Sequence, residues 1–167
     1  MNLIVAVDNK WGIGRDGRLL AHVPGDMKFF REMTTGKVVV MGRKTLESMP
    51  GRKGLPNRVN YVLTRKRDYE ADGCIIVHSE EELWKAMEQY EPDDIFLIGG
   101  ADLYNALYSR CDKLYITKMD ADLDADTFIV NIDADPNYVM VSESDAITEN
   151  GISYRFTEYR KKHEQER

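Results

Sequence analysis

The sequence predicts an α/β fold in which helices cover a parallel sheet. Short runs rich in β-branched residues alternate along the chain with segments of helical periodicity, a pattern typical of strand–helix–strand units. Some of these runs, such as Val38–Val40 and Ile95–Ile98, are continuously apolar, which indicates strands that are buried on both faces. A length of 167 residues favours one domain that spans residues 1–167.

Eight strands account for this pattern. They are predicted at Leu3–Val7, Lys37–Met41, Val59–Leu63, Cys74–Val77, Ile95–Ile98, Leu114–Thr117, Tyr138–Val141 and Ile152–Tyr159. In the last strand apolar residues alternate with polar ones, and such alternation is typical of a strand with one exposed face. We therefore expect a mostly parallel sheet with an antiparallel C-terminal edge strand and with helices on both faces.

Two helices have clear signals in the second half of the chain. Ser79 followed by Glu82 forms a capping box before apolar residues at helical spacing, which predicts a helix from about 80 to 89. A further helix is predicted directly after Gly99-Gly100, because its apolar residues share one face. Those residues are Leu103, Tyr104, Leu107 and Tyr108.

Asp26 is the first candidate functional residue. It follows Pro24-Gly25 and shares one helical face with the apolar residues Phe29, Phe30 and Met33. A carboxylate on an apolar face is costly unless hydrogen-bond donors reach it, so either a protein group or a ligand should supply them. The alternative is that Asp26 only complements the positive N-terminus of its helix.

The segment Gly12–Gly17 matches the G-x-G-x-x-G pattern of dinucleotide-binding proteins. In those proteins the glycines open directly into a helix, whereas here residues 18–23 continue to Pro24 before the first helix begins. We therefore interpret the segment as a mobile, glycine-rich loop of the kind that closes over a site.

Anion binding is the second candidate chemistry. Between Arg43 and Arg67 the chain has eight cationic residues and the single acid Glu47, although the whole protein has a net charge of −6. Two basic turns, Arg43-Lys44-Thr45 and Thr64-Arg65-Lys66-Arg67, follow predicted strands, and ligands of parallel sheets gather at the carboxyl ends of strands. The alternative is a solvated basic face.

Gly99-Gly100 is a further candidate for phosphate binding, since glycine lets backbone amides approach a pyrophosphate. The alternative is a tight connection between a strand and a helix.

Several classes of protein are disfavoured. The acidic net charge argues against a nucleic-acid binder, and the short apolar runs argue against a membrane span. The first residues predict a strand and no signal peptide, so Cys74 and Cys111 are expected to be free thiols in a cytoplasmic protein. We expect a monomer, because the sequence has no long exposed apolar stripe. The histidines and cysteines have no zinc-ligand spacing, and the acids from Asp120 to Asp126 lack the glycine and glutamate of a calcium loop. We expect no metal site and a solvated acidic loop.

Taken in order, the motifs resemble those of the dihydrofolate reductase family over nearly the whole chain. The matching segments are Ile13-Gly14, Val23-Pro24-Gly25-Asp26 with Phe29-Phe30, Val40-Met41-Gly42-Arg43-Lys44-Thr45 with Glu47-Ser48, Leu55-Pro56-Asn57-Arg58, Ile98-Gly99-Gly100 with Tyr104, Ile116-Thr117 and Asp126-Thr127. The resemblance implies an eight-stranded, mostly parallel sheet and the reduction of 7,8-dihydrofolate to tetrahydrofolate, by hydride transfer from NADPH to C6 with protonation of N5. It also implies that antifolates bind the same site.

The resemblance also assigns roles at the substrate site. Asp26 would bond the pteridine ring, Thr117 would support Asp26, and Arg58 would pair with the α-carboxylate of the glutamate tail. Backbone carbonyls of Ile4 and Ile98 would face the ring. The other implied substrate contacts are Val5, Ala6, Met27, Phe30, Met49, Leu55 and Tyr104.

For NADPH, the resemblance implies that the basic turns hold the 2′-phosphate and that Thr45 and the Gly99-Gly100 pair, joined by a cis peptide, receive the pyrophosphate. Ala6, Ile13 and Tyr104 would line the nicotinamide. The complete implied cofactor set is Ala6, Ile13, Gly14, Gly42, Arg43, Lys44, Thr45, Leu63, Thr64, Arg65, His78, Ile98, Gly99, Gly100, Ala101, Asp102, Leu103 and Tyr104.

One position departs from the family pattern. The family usually has tryptophan where this chain has Ala21, and the nearby Trp11 is a candidate to cover the gap. Two other functions stay open at this point. A reductase of riboflavin biosynthesis has a related fold and uses NADPH, but its ribosyl phosphate substrate would not need Asp26 or Arg58. A noncatalytic nucleotide-binding module would not need an acid that faces apolar residues.

Overall fold

The computed structural model describes residues 1–162. Within them the strands are β1 Asn2–Val7, β2 Gly12–Arg15, β3 Arg18–Leu19, β4 Val38–Gly42, β5 Val59–Leu63, β6 Cys74–Val77, β7 Ile95–Leu97, β8 Lys113–Met119, β9 Thr127–Phe128, β10 Tyr138–Glu143, β11 Ile147–Glu149 and β12 Ile152–Lys161. The α-helices are α1 Pro24–Thr34, α2 Arg43–Glu47, α3 Glu80–Met87 and α4 Ala101–Leu107. His163, one of the three histidines considered for a zinc site, lies outside the described residues.

The main sheet has the strand order β10-β12-β8-β1-β7-β4-β5-β6. Its neighbours from β8 to β6 are parallel, whereas β12 is antiparallel to both β8 and β10. This confirms a mostly parallel sheet with an antiparallel C-terminal strand at one side. The outermost position there belongs to β10, and the short β11 pairs with β12. On the predicted polar face of β12, Arg155 is exposed, whereas Thr157 is buried and its hydroxyl donates a hydrogen bond to the Ile116 carbonyl oxygen.

Helices cover both faces, as the continuous apolar strands predict. Alternate residues of β4 enter different apolar clusters. Val38 and Val40 pack with residues of α3 and α4, whereas Val39 and Met41 pack with residues of α1 and α2. The period of two along a strand places these pairs on opposite faces.

The glycine-rich segment differs from the predicted loop, because β2 and β3 form a hairpin there. The two residues between them, Asp16 and Gly17, have φ values of 52° and 74°, as a type I′ turn requires, and Asp-Gly is a preferred pair for that turn. The Asp16-Gly17 pair is therefore a hairpin signal that the sequence contains, although a loop was expected at this place. β9 pairs with β2 and completes a small three-stranded sheet.

Helix α3 begins as the capping box predicts and ends two residues earlier than expected. The Ser79 hydroxyl accepts the Glu82 N–H at 3.1 Å, and the Glu82 carboxylate accepts the His78 N–H at 2.9 Å. Both bonds satisfy backbone donors at or beside the first turn. Within residues 1–162, no helix is long and apolar enough to cross a membrane.

We expect Ser79→Ala to lower the free energy of unfolding by about 1 kcal/mol, because it removes the N-terminal cap of α3. Urea unfolding monitored by circular dichroism measures this change. Ser109→Ala is the matched control, since the Ser109 side chain is exposed and forms no hydrogen bond with the described residues. Equal midpoints for the two variants would contradict the role of the cap.

Candidate active site

A gap opens between the central strands β1 and β7. Their pairing covers Asn2 with Phe96 and Leu3 with Leu97. Beyond this point β1 continues along β8, whereas the chain after β7 follows β4, with hydrogen bonds from Ile98 N to Val40 O and from Gly42 N to Gly99 O, both 2.9 Å long. From β1 the chain continues to β4 on one side of the gap, and from β7 it continues to β8 on the other side. Because these connections run in opposite directions, the gap is a topological switch point, where open parallel sheets bind ligands.

Asp26 lies beside this gap, in the first turn of α1. Thr117 Oγ1 donates a hydrogen bond of 2.6 Å to Asp26 Oδ1, across 91 positions of sequence. Thr117 is the register partner of Ala6 near the end of β1. Burial raises the pKa of Asp26, and the hydrogen bond from Thr117 opposes that rise without cancelling it. The carboxylate therefore has a protein donor on one oxygen and remains costly to ionise.

Tyr104 joins the two sides of the gap. Its hydroxyl donates to the backbone oxygen of Ile4 at 2.7 Å, and its side chain is buried. Burial raises the pKa of Tyr104, and the nearby charge of Asp26 raises it further. The Ile4 carbonyl was expected to face a ligand. It already accepts a hydrogen bond from Tyr104, and a carbonyl oxygen can accept two.

The structure brings together part of the predicted apolar wall. Ile4, Ile98, Phe30, Met49 and Leu55 belong to one apolar cluster on the α1 side of the sheet. Ala6 lies in a separate cluster with Val23 and Tyr154. Two further residues predicted for the substrate site lie elsewhere: Met27 is 42% exposed, and Val5 packs against the core on the opposite face. Ile13, Leu63 and Leu103, which the resemblance assigns to the cofactor, pack against that same core.

Arg58 has a fixed position but no anionic partner among residues 1–162. Its guanidinium donates to Thr34 Oγ1 at 3.1 Å, to Pro56 O at 3.1 Å and to Thr35 Oγ1 at 3.4 Å, all neutral acceptors. Partial burial lowers the pKa of Arg58, and the positive charge of Arg31 lowers it further. An oriented guanidinium without a counter-charge is suited to a carboxylate ligand.

Arg31 was missed by the sequence reasoning. It lies in the last turn of α1, one residue beyond Phe30, and is close enough to affect the pKa of Arg58. A cation in a last turn is usually explained by the helix dipole. Only the packing of α1 beside residues 56–58 shows that two positive charges lie near each other.

The two basic turns meet at the same edge of the sheet. Gly42 pairs with Leu63, and Leu63 pairs with Val77, so the residues that follow these strands are neighbours: Arg43 and Lys44, Thr64 and Arg65, and His78. The His78 ring nitrogen Nδ1 lies 3.0 Å from the Thr64 carbonyl oxygen. Lys44 and Arg65 are exposed and form no ion pair within the described chain.

Glu47 orients the first of these cations. Its carboxylate accepts a hydrogen bond from Arg43 at 2.8 Å and one from Tyr69 at 3.1 Å, and Arg52 lies 3.2 Å away. Burial tends to raise the pKa of Glu47, but the hydrogen bonds from Arg43 and Tyr69 outweigh it and leave the pKa below its usual value. Arg43 is therefore partly neutralised, whereas Lys44 and Arg65 carry the uncompensated charge.

The glycine pair forms a close-fitting turn beside these cations. Gly99-Gly100 is a cis peptide, as the resemblance implies. A Cβ on Gly99 or Gly100 would lie 3.3 or 3.2 Å from Thr45 Oγ1, whereas a Cβ on Gly42 would meet only the Gly99 carbonyl oxygen at 4.0 Å. Open backbone, one hydroxyl and exposed cations at one edge fit the pyrophosphate and 2′-phosphate of NADPH.

The acidic loop is not merely solvated. Asp126 accepts the Asp16 N–H at 2.9 Å and donates its own N–H to Gly14 O at 2.9 Å. Asp122 pairs with Lys10, and Asp124 pairs with Arg15, both at 2.9 Å. The loop therefore holds the β2–β3 hairpin, which the alternating acids did not reveal in the sequence. No group of three potential ligand side chains in residues 1–162 is arranged to hold a metal ion.

Trp11 does not cover the position of Ala21. Ala21 packs in the cluster of Val23 and Tyr154, whereas Trp11 packs against the main core. The Lys118 ammonium lies 5.2 Å from the centre of the Trp11 ring. The left-handed conformation of Trp11, with φ of 63°, belongs to the turn after β1 and is separate from the site.

We expect Asp26→Asn to raise the free energy of unfolding at pH 7. The folded state raises the pKa of Asp26, so the stability of the natural protein falls as the pH rises through that value. The neutral amide escapes this loss and can still accept the Thr117 hydrogen bond. Urea unfolding at pH 7 and near pH 4 should show that the variant has the higher free energy of unfolding and that its advantage becomes smaller as the pH falls. The exposed Asp68→Asn is the control, and a less stable Asp26→Asn protein at pH 7 would contradict the effect.

Comparisons with known proteins agree with this geometry. The family model described as dihydrofolate reductase matches residues 1–161. The chain is 37% identical to the dihydrofolate reductase of Bacillus subtilis strain 168, over 97% of this chain and 95% of the other, and 38% identical to that of Enterococcus faecium, over 93% of both. A solved structure of dihydrofolate reductase from Enterococcus faecalis, complexed with NADP(H) and RAB-propyl, superposes with a TM-score of 0.87 at 33% identity, covering 97% of this chain and 96% of the other. The chain belongs to the dihydrofolate reductase family.

Proposed function

We propose that Asp26 binds the pteridine ring while the chain, as an NADPH-dependent dihydrofolate reductase, reduces 7,8-dihydrofolate to 5,6,7,8-tetrahydrofolate. One observation carries the assignment: Asp26 is a largely buried carboxylate beside the β1–β7 gap, and Thr117 is its one side-chain donor among residues 1–162. Family membership sets aside the reductase of riboflavin biosynthesis and the noncatalytic nucleotide-binding module as alternatives.

Asp26 is suited to both binding and protonation chemistry. The ring of dihydrofolate has an N3–H and a 2-amino group, and a carboxylate accepts from both donors at once. Such a pair takes the place of the water that Asp26 loses on burial. The negative charge beside the ring raises the proton affinity of N5, so N5 takes its proton from water while C6 receives the hydride. Asp26 therefore does not need to be the immediate proton donor.

Thr117 and Tyr104 have supporting roles in this proposal. Thr117 occupies one lone pair of Asp26 Oδ1 and leaves the rest of the carboxylate for the ring. Tyr104 fixes the Ile4 carbonyl and, because its own pKa is raised by burial and by Asp26, its hydroxyl keeps its proton and stays a donor. The Ile98 carbonyl, Phe30, Met49 and Leu55 line the side of the gap next to α1.

The glutamate tail binds to the two cations beyond the ring. Arg58 is oriented by Thr34 and Pro56 and has a free positive charge, so a bidentate contact with the α-carboxylate requires little rearrangement. Bringing an anion between Arg58 and Arg31 also removes the repulsion that lowers the pKa of Arg58.

NADPH supplies the hydride when bound, and this chain's own residues at the carboxyl edge of the sheet would hold it. Arg43, Lys44, Thr64 and Arg65 would hold the 2′-phosphate, with His78 beside them. Thr45 and the Gly99-Gly100 turn would hold the pyrophosphate, followed by Ala101 and Asp102 at the start of α4. The uncompensated charge of Lys44 and Arg65 favours a cofactor with the additional phosphate over NADH.

The chain is further proposed to act as a cytoplasmic monomer of one domain and to bind antifolates in the Asp26 site. Cys74 and Cys111 are both free thiols, which fits a reducing compartment. The related Enterococcus faecalis enzyme was solved with NADP(H) and RAB-propyl, which supports a small-molecule inhibitor in the same gap. Light scattering during size-exclusion chromatography measures the oligomeric state.

We expect Asp26→Asn to lower the rate of hydride transfer at pH 7 by about 100-fold or more, with little change in the Kd of NADPH. The loss of NADPH absorbance in stopped flow measures the rate. Glu32→Gln is the control, because Glu32 is an exposed acid on the same helix. An unchanged rate in Asp26→Asn would remove Asp26 from the mechanism.

We expect Arg58→Lys to raise the KM of dihydrofolate by about tenfold or more, because lysine cannot form the paired hydrogen bonds of a guanidinium. A reduced pteridine without the glutamate tail should show the same KM with both proteins. Arg67→Lys is the control, since Arg67 is exposed and has no described ion pair. Equal KM values for dihydrofolate would rule out the tail contact.

A further inference from the structure

The start of helix α1 is held by a side chain from the far end of the sequence. Its N-cap residue, Val23, has no side chain that can cap, and the next residue, Pro24, has no N–H. The first helical N–H therefore belongs to Gly25, directly before Asp26. Glu149, at the end of β11 and 124 residues away, accepts this N–H with Oε1 at 3.0 Å.

Tyr154 fixes the position of Glu149. The Tyr154 hydroxyl donates to the same oxygen, Glu149 Oε1, and the Tyr154 side chain is only 2% exposed. Burial together with Glu149 and the more distant Asp26 raises the pKa of Tyr154 to about 12, so the hydroxyl remains a donor at neutral pH. The Tyr154 ring packs edge-on against Phe156, with centroids 5.5 Å apart, and Phe156 lies 4.6 Å from Phe29 of α1.

Gly25 is pressed against this pair. A Cβ at Gly25 would clash with both the Tyr154 hydroxyl oxygen and Glu149 Oε1. No larger residue fits without displacing one of the two side chains. The absence of a side chain at this position is explained by the close approach, since Gly25 is not among the residues with positive φ.

Strands β8 and β12 fix the position of Asp26 from two sides. In the pairing of β12 with β8, Phe156 is opposite Thr117 and Tyr154 is opposite Met119. Thr117 holds the carboxylate of Asp26, and Tyr154, through Glu149, holds the peptide nitrogen of the residue before it. A displacement of the helix start would therefore move Asp26 relative to Thr117.

We infer that Glu149 is a positioning residue for Asp26, acting through the hydrogen bond to Gly25 and the support of Tyr154. The inference rests on the proposed role of Asp26. A charged acceptor on a helix N–H forms a strong hydrogen bond, and reacting groups that are displaced by a fraction of an ångström lose much of their rate.

The test compares Glu149→Ala, Glu149→Gln and Asp145→Ala. The alanine variant loses the acceptor, and the glutamine variant keeps an amide oxygen that can accept from Gly25 and Tyr154. Asp145→Ala removes an exposed acid from the connection between β10 and β11 and is the matched control. We expect Glu149→Ala to lower kcat/KM for dihydrofolate by about tenfold, Glu149→Gln to restore most of it, and the Kd of NADPH to stay within twofold throughout.

Amide NMR of the ligand-free protein gives a readout that does not depend on activity. The Gly25 amide proton should move upfield in Glu149→Ala and much less in Glu149→Gln, because the hydrogen bond to an oxygen is lost only in the former. A natural protein that does not reduce dihydrofolate would overturn the proposed function and leave the NMR result intact. Three results would each overturn the positioning role. They are an unchanged kcat/KM in Glu149→Ala, a Glu149→Gln protein as slow as Glu149→Ala, and a rise in the Kd of NADPH as large as the fall in kcat/KM.

Discussion

The structure depends on a carboxylate that is kept in an apolar gap with a single hydrogen-bond donor from the described part of the chain. Burial opposes the ionisation of Asp26, and the hydroxyl of Thr117 compensates for only part of that cost. The gap itself follows from strand order, because β1 and β7 stop pairing after Leu3 and Leu97 and then follow different neighbours. An acid at this place can be tolerated because the apolar clusters on both faces of the sheet stabilise the rest of the molecule.

The unbalanced positive charges have a similar explanation. Arg58 and Arg31 lie near each other and neither forms an ion pair within residues 1–162, and Lys44 and Arg65 are exposed at the end of neighbouring strands. Each arrangement is less favourable than a paired one in the free protein. Each becomes favourable when an anion of matching shape binds. Arg43 differs, because Glu47 already holds it, so its contribution is a defined orientation rather than free charge.

Local signals in the sequence predicted local structure well. The capping box at Ser79, the apolar runs of the strands and the helical face of Asp26 were all read from neighbouring residues, and each was found in the structure. The hairpin of β2 and β3 was not predicted, because the same glycines match a nucleotide-binding pattern and also contain the Asp16-Gly17 turn signal. The roles of Arg31, Glu149 and the acids from Asp122 to Asp126 could not be read in this way, since their partners lie on segments distant in sequence.

The sequence by itself determined the α/β class, the alternation of strands and helices, the basic turns at strand ends and the single acid on an apolar helical face. These properties depend on periodicity and on residues a few positions apart, which a chain displays before it folds. Only the tertiary structure decided that Thr117 is the donor for Asp26, that Tyr104 takes one lone pair of Ile4, and that Glu149 holds the helix start. Those contacts join residues about 90 to 124 positions apart, and strand order and helix packing bring such residues together.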